Sequence, residues 1–241
     1  MADTAVILAA GMGSRLAASG DAETFSKPLM SVGGKTLLER TIGCCRAAGA
    51  RRIIVVTGFR HALVEAEVAR LTRGDLETVH NPDWTKSNGL SLYACRDRLD
   101  APFALMMSDH VFDPSILADL LALTPAPGSV TLAVDYKIAE VFDLDDATKV
   151  QVDDGKIGPI SKALTSYNAI DCGLFLCTPA IFAALGEVVA KKGDTTLSEG
   201  MAIIGARGQF LPFDIGDRWW QDVDTPEMLE QASAQLARRG L

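Results

Sequence analysis

The sequence predicts an α/β protein: three layers, with helices packed on both faces of a mixed, mostly parallel central sheet. Three observations carry this expectation. Short apolar, β-branched runs such as TAVILA at 4–9 suit strands buried on both faces. Helical periodicities alternate with those runs in a βαβ pattern. The chain has 241 residues, of which 48% are hydrophobic and 22% charged, enough for one well-buried unit and with no case for disorder. We therefore expect a single domain, 1–241.

Taken in order, strand 4–9 is followed by a helix over 36–49, whose Leu38, Ile42, Cys45 and Ala48 share one face. RIIVVTG at 52–58 is the next strand, then a helix at about 61–72, a strand at 76–80 and a helix starting near Ser91 with Ser91 as its cap. FALMMS at 103–108 is again apolar and strand-like. After about residue 128 the texture becomes strand-rich: SVTLAVDY, then TKVQVDDGKIGPI with an Asp-Gly turn at 154–155, then CGLFLC. Helices near 179–192 and 198–204, a strand at 209–213 and a closing helix from Pro226 to Arg239 complete the chain. Repeats, low-complexity tracts and linkers are absent.

Charge and cysteine usage exclude several classes. The net charge is −8, and Lys and Arg are scattered, so there is no footprint for a nucleic-acid backbone. A phosphorylated ligand would have to rely on a few local cations, helix N-termini or a metal ion. The five cysteines contain no C-x-x-C pair and read as small buried hydrophobes in a reducing compartment. Three histidines are too few for a histidine-rich metal site. No signal peptide and no apolar run of about 18 residues is seen, so the expectation is a soluble, cytoplasmic protein without membrane insertion.

The stretch AVILAAGMGSRLAASGDAETFSKPLMSVGG at 5–34 is the first candidate site. SVGGKT ends like a P-loop, but the required first glycine falls at Leu29; GMGSRL begins like a dinucleotide fingerprint, but its third glycine falls at Leu16. What remains is a strand-loop segment in which Gly11 and Gly13 let backbone approach a ligand, with Arg15 and Lys27 as its concentrated positive charge. LAAGMGSR followed by SKPL resembles the sugar-nucleotidyltransferase superfamily, whose loop of this kind wraps a nucleoside triphosphate. The resemblance implies a Rossmann-like three-layer nucleotidyltransferase fold, with nucleotide contacts from Ala9, Ala10, Gly11, Met12, Gly13, Ser14, Arg15 and Lys27. The interval from Arg15 to Lys27 is longer than the compact version of the loop.

Two carboxylates follow. Asp109 lies just beyond the carboxyl end of a buried strand, where open α/β sheets bind ligands. Asp113, directly before Pro114, already fills the helix cap position there and leaves Asp109 without a structural task. Asp224, in WWQDVDTPE, stands just outside a helix started by Thr225-Pro226, with Asp222 two residues earlier. The resemblance implies that Asp109 and Asp224 together hold Mg²⁺ on the nucleotide phosphates, and that Arg15, Lys27 and Asp109 are catalytic. The implied reaction is in-line attack of an acceptor phosphate on the α-phosphorus, expelling pyrophosphate. A phosphate monoester, with its second pKa at about 6, is already a nucleophile at neutral pH, so no general base is needed. His110 is either a support for Asp109 or a buried structural histidine.

In NPDWTKSNGLSLYACRD, Asn88-Gly89 reads as a turn ahead of the Ser91 cap. SNGLSL resembles the base-reading segment of the cytidylyltransferase branch, which implies CTP and contacts from Asn88, Gly89, Ser91 and Asp109. MMSDHVFDP, ATKVQVDDGKIGPISKAL, YNAIDCGLFLCTPAIF and WWQDVDTPE together resemble CTP:inositol-1-phosphate cytidylyltransferases, from Ala5 to about Ala232 and in the same order. These enzymes make CDP-inositol. The implied division is a nucleotide-binding half at about 1–127 and an acceptor-binding half at about 128–241. Lys162 and Asp171, with Lys149, Tyr167 and Asn168 behind them, are the candidates for the acceptor. Bifunctional members carry a membrane-embedded transferase after this domain; this sequence ends at Leu241, and we expect it to work alone and pass its product on. The alternatives are another alcohol phosphate such as phosphocholine, held in an aromatic cage drawn from Tyr136, Tyr167, Phe175, Trp219 and Trp220, a guanylyltransferase of the molybdopterin type, or a non-catalytic nucleotide-binding subunit. A homodimer is compatible with the sequence, which does not determine it.

Overall fold

A computed structural model describes residues 2–17 and 25–241, without the side chains of Ser14 and Ala17. The part of the glycine-rich loop at 18–24, and the Ser14 side chain expected at the nucleotide, lie outside the described residues.

The apolar run at the start forms β1 (Thr4–Ala9), followed by one helical turn, α1 (Ser14–Ala17), and the small ribbon of β2 (Ser31–Val32) and β3 (Lys35–Thr36). Then come α2 (Leu37–Ala47), β4 (Arg52–Thr57), α3 (His61–Leu71), β5 (Leu76–His80), α4 (Asn88–Tyr93), β6 (Phe103–Met107), β7 (His110–Phe112) and α5 (Pro114–Ala122). The remainder is β8 (Val130–Asp135), β9 (Lys149–Asp153), β10 (Lys156–Ser161), β11 (Ala169–Cys177), α6 (Ala180–Lys192), α7 (Leu197–Ala206), β12 (Phe210–Asp214), β13 (Trp220–Asp222) and α8 (Pro226–Arg239). Helix starts follow local chemistry. Thr36, Asp113 and Thr225 each accept a backbone N–H of the first turn, and Thr196 with Glu199 forms a reciprocal capping box. Asp154 and Gly155 both take positive φ, which is what the tight β9–β10 turn requires.

Nine strands form one sheet in the order β10-β9-β11-β6-β1-β4-β5, with β8 on β11 and β12 on β8. Pairing directions make β1, β4, β5, β6, β8, β9 and β12 run one way and β10 and β11 the other, so the sheet is mixed and mostly parallel. Alternating residues of the central strands face two apolar layers: Val6, Ile54 and Leu105 join one, Ile7, Val55 and Met106 the other. The expected face of α2 packs on the second layer through Leu38, Ile42 and Cys45. A third cluster, with Leu16, Phe25, Leu37, Val111, Val223 and Leu236, ties the ends of the glycine-rich loop to α8. All five cysteines are free, and only Cys44 is not fully buried. No helix among the described residues is long and apolar enough to cross a membrane.

Two features of this frame make room for a site. The carboxyl-terminal half of β11 pairs with β6, while its amino-terminal end pairs with β9, so the sheet forks at Asp171–Gly173. The short strands β7 and β13 pair antiparallel outside the main sheet, with His110 opposite Asp222. One sequence expectation is corrected here. Asn88-Gly89 is the first turn of α4 rather than a turn before it, so Ser91 lies inside the helix and caps nothing; its hydroxyl accepts the Asn81 side-chain amide at 3.0 Å. Gly89 is buried because α4 runs directly onto the chain before α7.

A Cβ at Gly89 would lie 2.4 Å from the Thr195 carbonyl oxygen. Gly89→Ala is therefore expected to destabilise the fold by about 1–3 kcal/mol through overpacking, read as a lower Tm in thermal unfolding; an unchanged Tm would show that α4 and the 195–196 backbone separate freely.

Candidate active site

β1 and β6 are neighbours, so the loop after one and the aspartate after the other emerge side by side at the carboxyl edge of the sheet. The β7–β13 ribbon brings in the third part, because pairing of its strands and a hydrogen bond from Val223 N–H to the Asp109 carbonyl (2.9 Å) lay the 222–224 segment along 109–110. Asp109 and Asp224 consequently converge on one cation. The Lys27 ammonium bonds Asp109 Oδ2 at 2.5 Å and also Asp224 Oδ1. Lys27 opens a short 3₁₀ turn containing Pro28, and its side chain is only 7% exposed. Its stem lies on the backbone of Gly13, where φ is +66° and a Cβ would come within 2.6 Å of Lys27 Cδ. Glycine is needed there for both reasons.

The charges extend outward from this centre. Arg15 Nη2 pairs with Asp224 Oδ2 at 2.5 Å and with Asp146 Oδ2 at 2.8 Å, and Lys162 Nζ meets the other oxygen of Asp146 at 2.9 Å. Burial disfavours the charged form of Lys27, but Asp109 and Asp224 outweigh it and raise its pKa. Burial would likewise lift Asp109; the Lys27 charge and the hydrogen bond from His110 instead hold it far below the usual carboxylate range. With Asp109 ionised, His110 Nδ1 must be the donor across its 2.9 Å contact to Asp109 Oδ1. The His110 ring stacks on Trp220 (centroids 5.8 Å apart, 13° between planes), and Trp220 Nε1–H donates to Asp135 at 2.9 Å. Its far edge fills the space over Gly173, where a Cβ would collide with the ring at 2.6 Å.

Two cavities meet at this centre. Gly11, Gly13, Arg15 and Ser108 line one; Asp146, Lys162, Asp171 and Trp220 line the other, which opens through the fork in the sheet. Asn88, Met107, Asp109 and Asp224 belong to both walls. Burial pushes the Asp171 carboxyl up to about 6, against the Gly173 N–H bond (2.7 Å) and the positive charge of His110. Asp222 is also raised, first by burial and then by the nearby Asp224 and Asp109 charges, against the opposing pull of His110.

The residues expected from sequence divide accordingly. Arg15, Lys27, Asp109 and Asp224 are assembled at the junction, with Ala10, Gly11, Gly13, Asn88 and Ser91 along the first cavity and Lys162 and Asp171 along the second. Others are engaged elsewhere. Ala9 is buried in β1, Met12 points to solvent, and Gly89 packs on Thr195. Lys149, expected at the acceptor, is buried and donates to the carbonyls of Asp145, Ala147 and Lys162. Its ammonium therefore holds the loop that presents Asp146. Asn168 spends its amide on both backbone groups of Val152, and Tyr167 lies beside the Lys149 ammonium, 5.9 Å from ring centroid to Nζ, outside the cavity lining. Asp146 and Trp220 were missed as polar-site residues: Asp146 sits in an acidic run, DLDD, with no spacing that distinguishes one carboxylate from the next. Asn88 has a second task, its Oδ1 accepting the Leu197 N–H at the start of α7.

Asp109 and Asp224 fit a divalent cation of the Mg²⁺ type. Their oxygens already surround one cation, they are hard donors, and Mg²⁺ takes few carboxylates, leaving positions for phosphate and water.

The family model for the MobA-like NTP transferase domain matches residues 5–171. The chain is 35% identical to the bifunctional IPC transferase and DIPP synthase of Thermococcus kodakarensis, over 98% of this chain and 51% of that one. It is 31% identical to the protein of the same description from Aquifex aeolicus, over 100% and 53%. The chain thus spans about half the length of these curated relatives. Its fold resembles the solved inositol-1-phosphate CTP transferase of T. maritima, with a TM-score of 0.81 and 24% identity over 96% of each chain.

Because the Asp171 pKa is raised to about 6 from 3.8, the folded chain binds the extra proton more tightly than the unfolded chain does. The associated stability is complete below about pH 4 and is lost as pH rises through 6. Asp171→Asn should match wild type at pH 4 and exceed it above pH 6 by about 3 kcal/mol, measured by denaturant unfolding across that window. A constant difference would mean that Asp171 titrates as an ordinary carboxyl.

Proposed function

Since the chain belongs to the MobA-like NTP transferase family, we propose that it transfers CMP from CTP to inositol 1-phosphate, giving CDP-inositol and pyrophosphate. The observation that carries this reading is the Lys27–Asp109–Asp224 centre at the shared wall of two cavities, one bounded by the glycine-rich loop and one by Lys162 and Asp171. Likeness to the IPC transferases supports the choice of nucleotide and acceptor. On this reading residues 1–127 bind CTP and 128–241 the acceptor within one domain, in the cytoplasm.

An oxygen of the acceptor phosphate forms a bond to the α-phosphorus as the bond to the β-phosphate bridging oxygen breaks. Pyrophosphate departs with that electron pair, and no proton needs to move. Catalysis is then positioning and charge stabilisation. Gly11 and Gly13 bring backbone to the triphosphate, and Lys27 and Arg15 offset the charge that develops on it. Asp109 and Asp224 would hold Mg²⁺, which when bound screens the phosphates from the surrounding carboxylates. His110 keeps Asp109 ionised and oriented. Lys162 faces the acceptor phosphate, while Asp171 and Asp146 offer hydroxyl acceptors to a polyol.

The cavity chemistry favours a polyol phosphate over phosphocholine. Of the five aromatics expected to form a cage, Phe175 and Trp220 line the second cavity, and Trp220 is committed to His110 and Asp135.

Pyrophosphate release should appear with Mg²⁺ and CTP plus inositol 1-phosphate, and not with the other common triphosphates, phosphocholine or glucose 1-phosphate. Release with CTP and a different acceptor would keep the chemistry and replace the acceptor; no release with any pair would favour a nucleotide-binding subunit without catalysis. Asp109→Ala is expected to abolish turnover with the circular dichroism spectrum retained. Lys27→Ala should lower kcat about a hundredfold or more.

A further inference from the structure

Two of the three histidines meet in the folded chain, far from Asp109. His61 opens α3 and His80 closes β5, and the two lie at the same edge of the sheet because β5 pairs with β4, whose end leads into α3. Their ring centroids are 4.3 Å apart. Glu65, one turn into α3, completes a set in which one ring nitrogen from each histidine and one carboxylate oxygen all lie within 4.8 Å of one another. Both histidines are exposed, so the space they face is open to solvent.

Neighbouring groups hold these three in place. The buried Thr57 hydroxyl donates to Glu65 Oε1 at 2.9 Å, which orients the carboxylate and leaves Oε2 on the histidine side, 3.4 Å from His61 Nδ1. That is the arrangement by which outer hydrogen bonds aim a ligand at a metal, and 3.4 Å is long for a charge-assisted bond. Arg60, directly before His61, takes a left-handed conformation (φ 48°) that non-glycine residues seldom adopt, and the His61 N–H bonds the Gly58 carbonyl at 3.1 Å. The backbone therefore enters α3 on one path and delivers His61 beside His80.

We propose that His61, Glu65 and His80 form a binding site for a transition-metal dication of the Zn²⁺ or Co²⁺ class, distinct from the Asp109–Asp224 centre. Two imidazoles and one carboxylate suit such ions, whereas Mg²⁺ and Ca²⁺ take oxygen donors. Three protein ligands leave a fourth position for water. The β5, β4, β1, β6 order separates this site from Asp109 by three strand spacings, about 14 Å, too far to touch the same phosphates. The bound ion would clamp the start of α3 to the end of β5. The same segment supports the glycine-rich loop, since Phe59 N–H bonds the Ala10 carbonyl at 2.9 Å.

The test uses the untagged, metal-free full chain titrated with Co²⁺, followed by visible absorption and by Zn²⁺ competition. With excess Mg²⁺ present to occupy the Asp109–Asp224 centre, one equivalent should bind with ligand-field bands and without a thiolate charge-transfer band. His61→Ala and His80→Ala, both at exposed positions, should each weaken binding about a hundredfold, and Thr57→Val about tenfold. Magnesium-dependent pyrophosphate release should be unchanged in the two alanine variants, which separates this site from the proposed catalysis. Absence of saturable binding, a thiolate band, or equal binding by the His61→Ala/His80→Ala double variant would overturn the proposal.

Discussion

A lysine ammonium is costly to bury unless carbonyls or opposite charges are buried around it, and Lys27 is buried between two carboxylates. Much of the molecule is arranged to meet that requirement. Asp109 comes from the end of β6 and Asp224 from the far end of the chain, and the β7–β13 ribbon keeps them together. Gly13 lets the lysine stem lie flat on the loop, and the third apolar cluster fixes both sides of that loop to α8. Removing either carboxylate would leave the ammonium on the other alone, and removing the lysine would leave two carboxylates facing each other, so the group acts as a unit.

The same constraint accounts for the character of the site. On the proposed reading, an acidic protein of net charge −8 that binds phosphates has to concentrate its cations. Here Lys27 joins Asp109 to Asp224, Arg15 joins Asp224 to Asp146, and Lys162 pairs with Asp146 at the end of the series. The three cations are thereby gathered at the junction of the two cavities.

The second cavity depends on a different feature, the fork where β11 leaves β6 for β9. Gly173 takes φ +73° at the fork and makes room for the His110 ring, which connects the fork to Asp109. Around it, residues with polar side chains serve the frame. Lys149 gathers three carbonyls and Asn168 continues the β9 ladder where backbone pairing stops. Their polarity alone gave no means of telling a ligand group from a frame group.

What the sequence determined by itself is local. Apolar runs, helical faces, the Asp113-Pro114 and Thr225-Pro226 caps and the Asp154-Gly155 turn all rest on interactions within a few residues, and each was legible as written. Asp109 and Asp224 stood out because Asp113 already caps α5 and Thr225 already starts α8, while their pairing came from the resemblance. The tertiary structure alone decided that Asp146 joins Arg15 to Lys162, that Lys149 faces carbonyls, that Ser91 falls inside a helix, and that His61 meets His80. Those outcomes depend on which distant segments the sheet order brings together, and a side chain's partner across the fold leaves no periodicity in the chain that carries it.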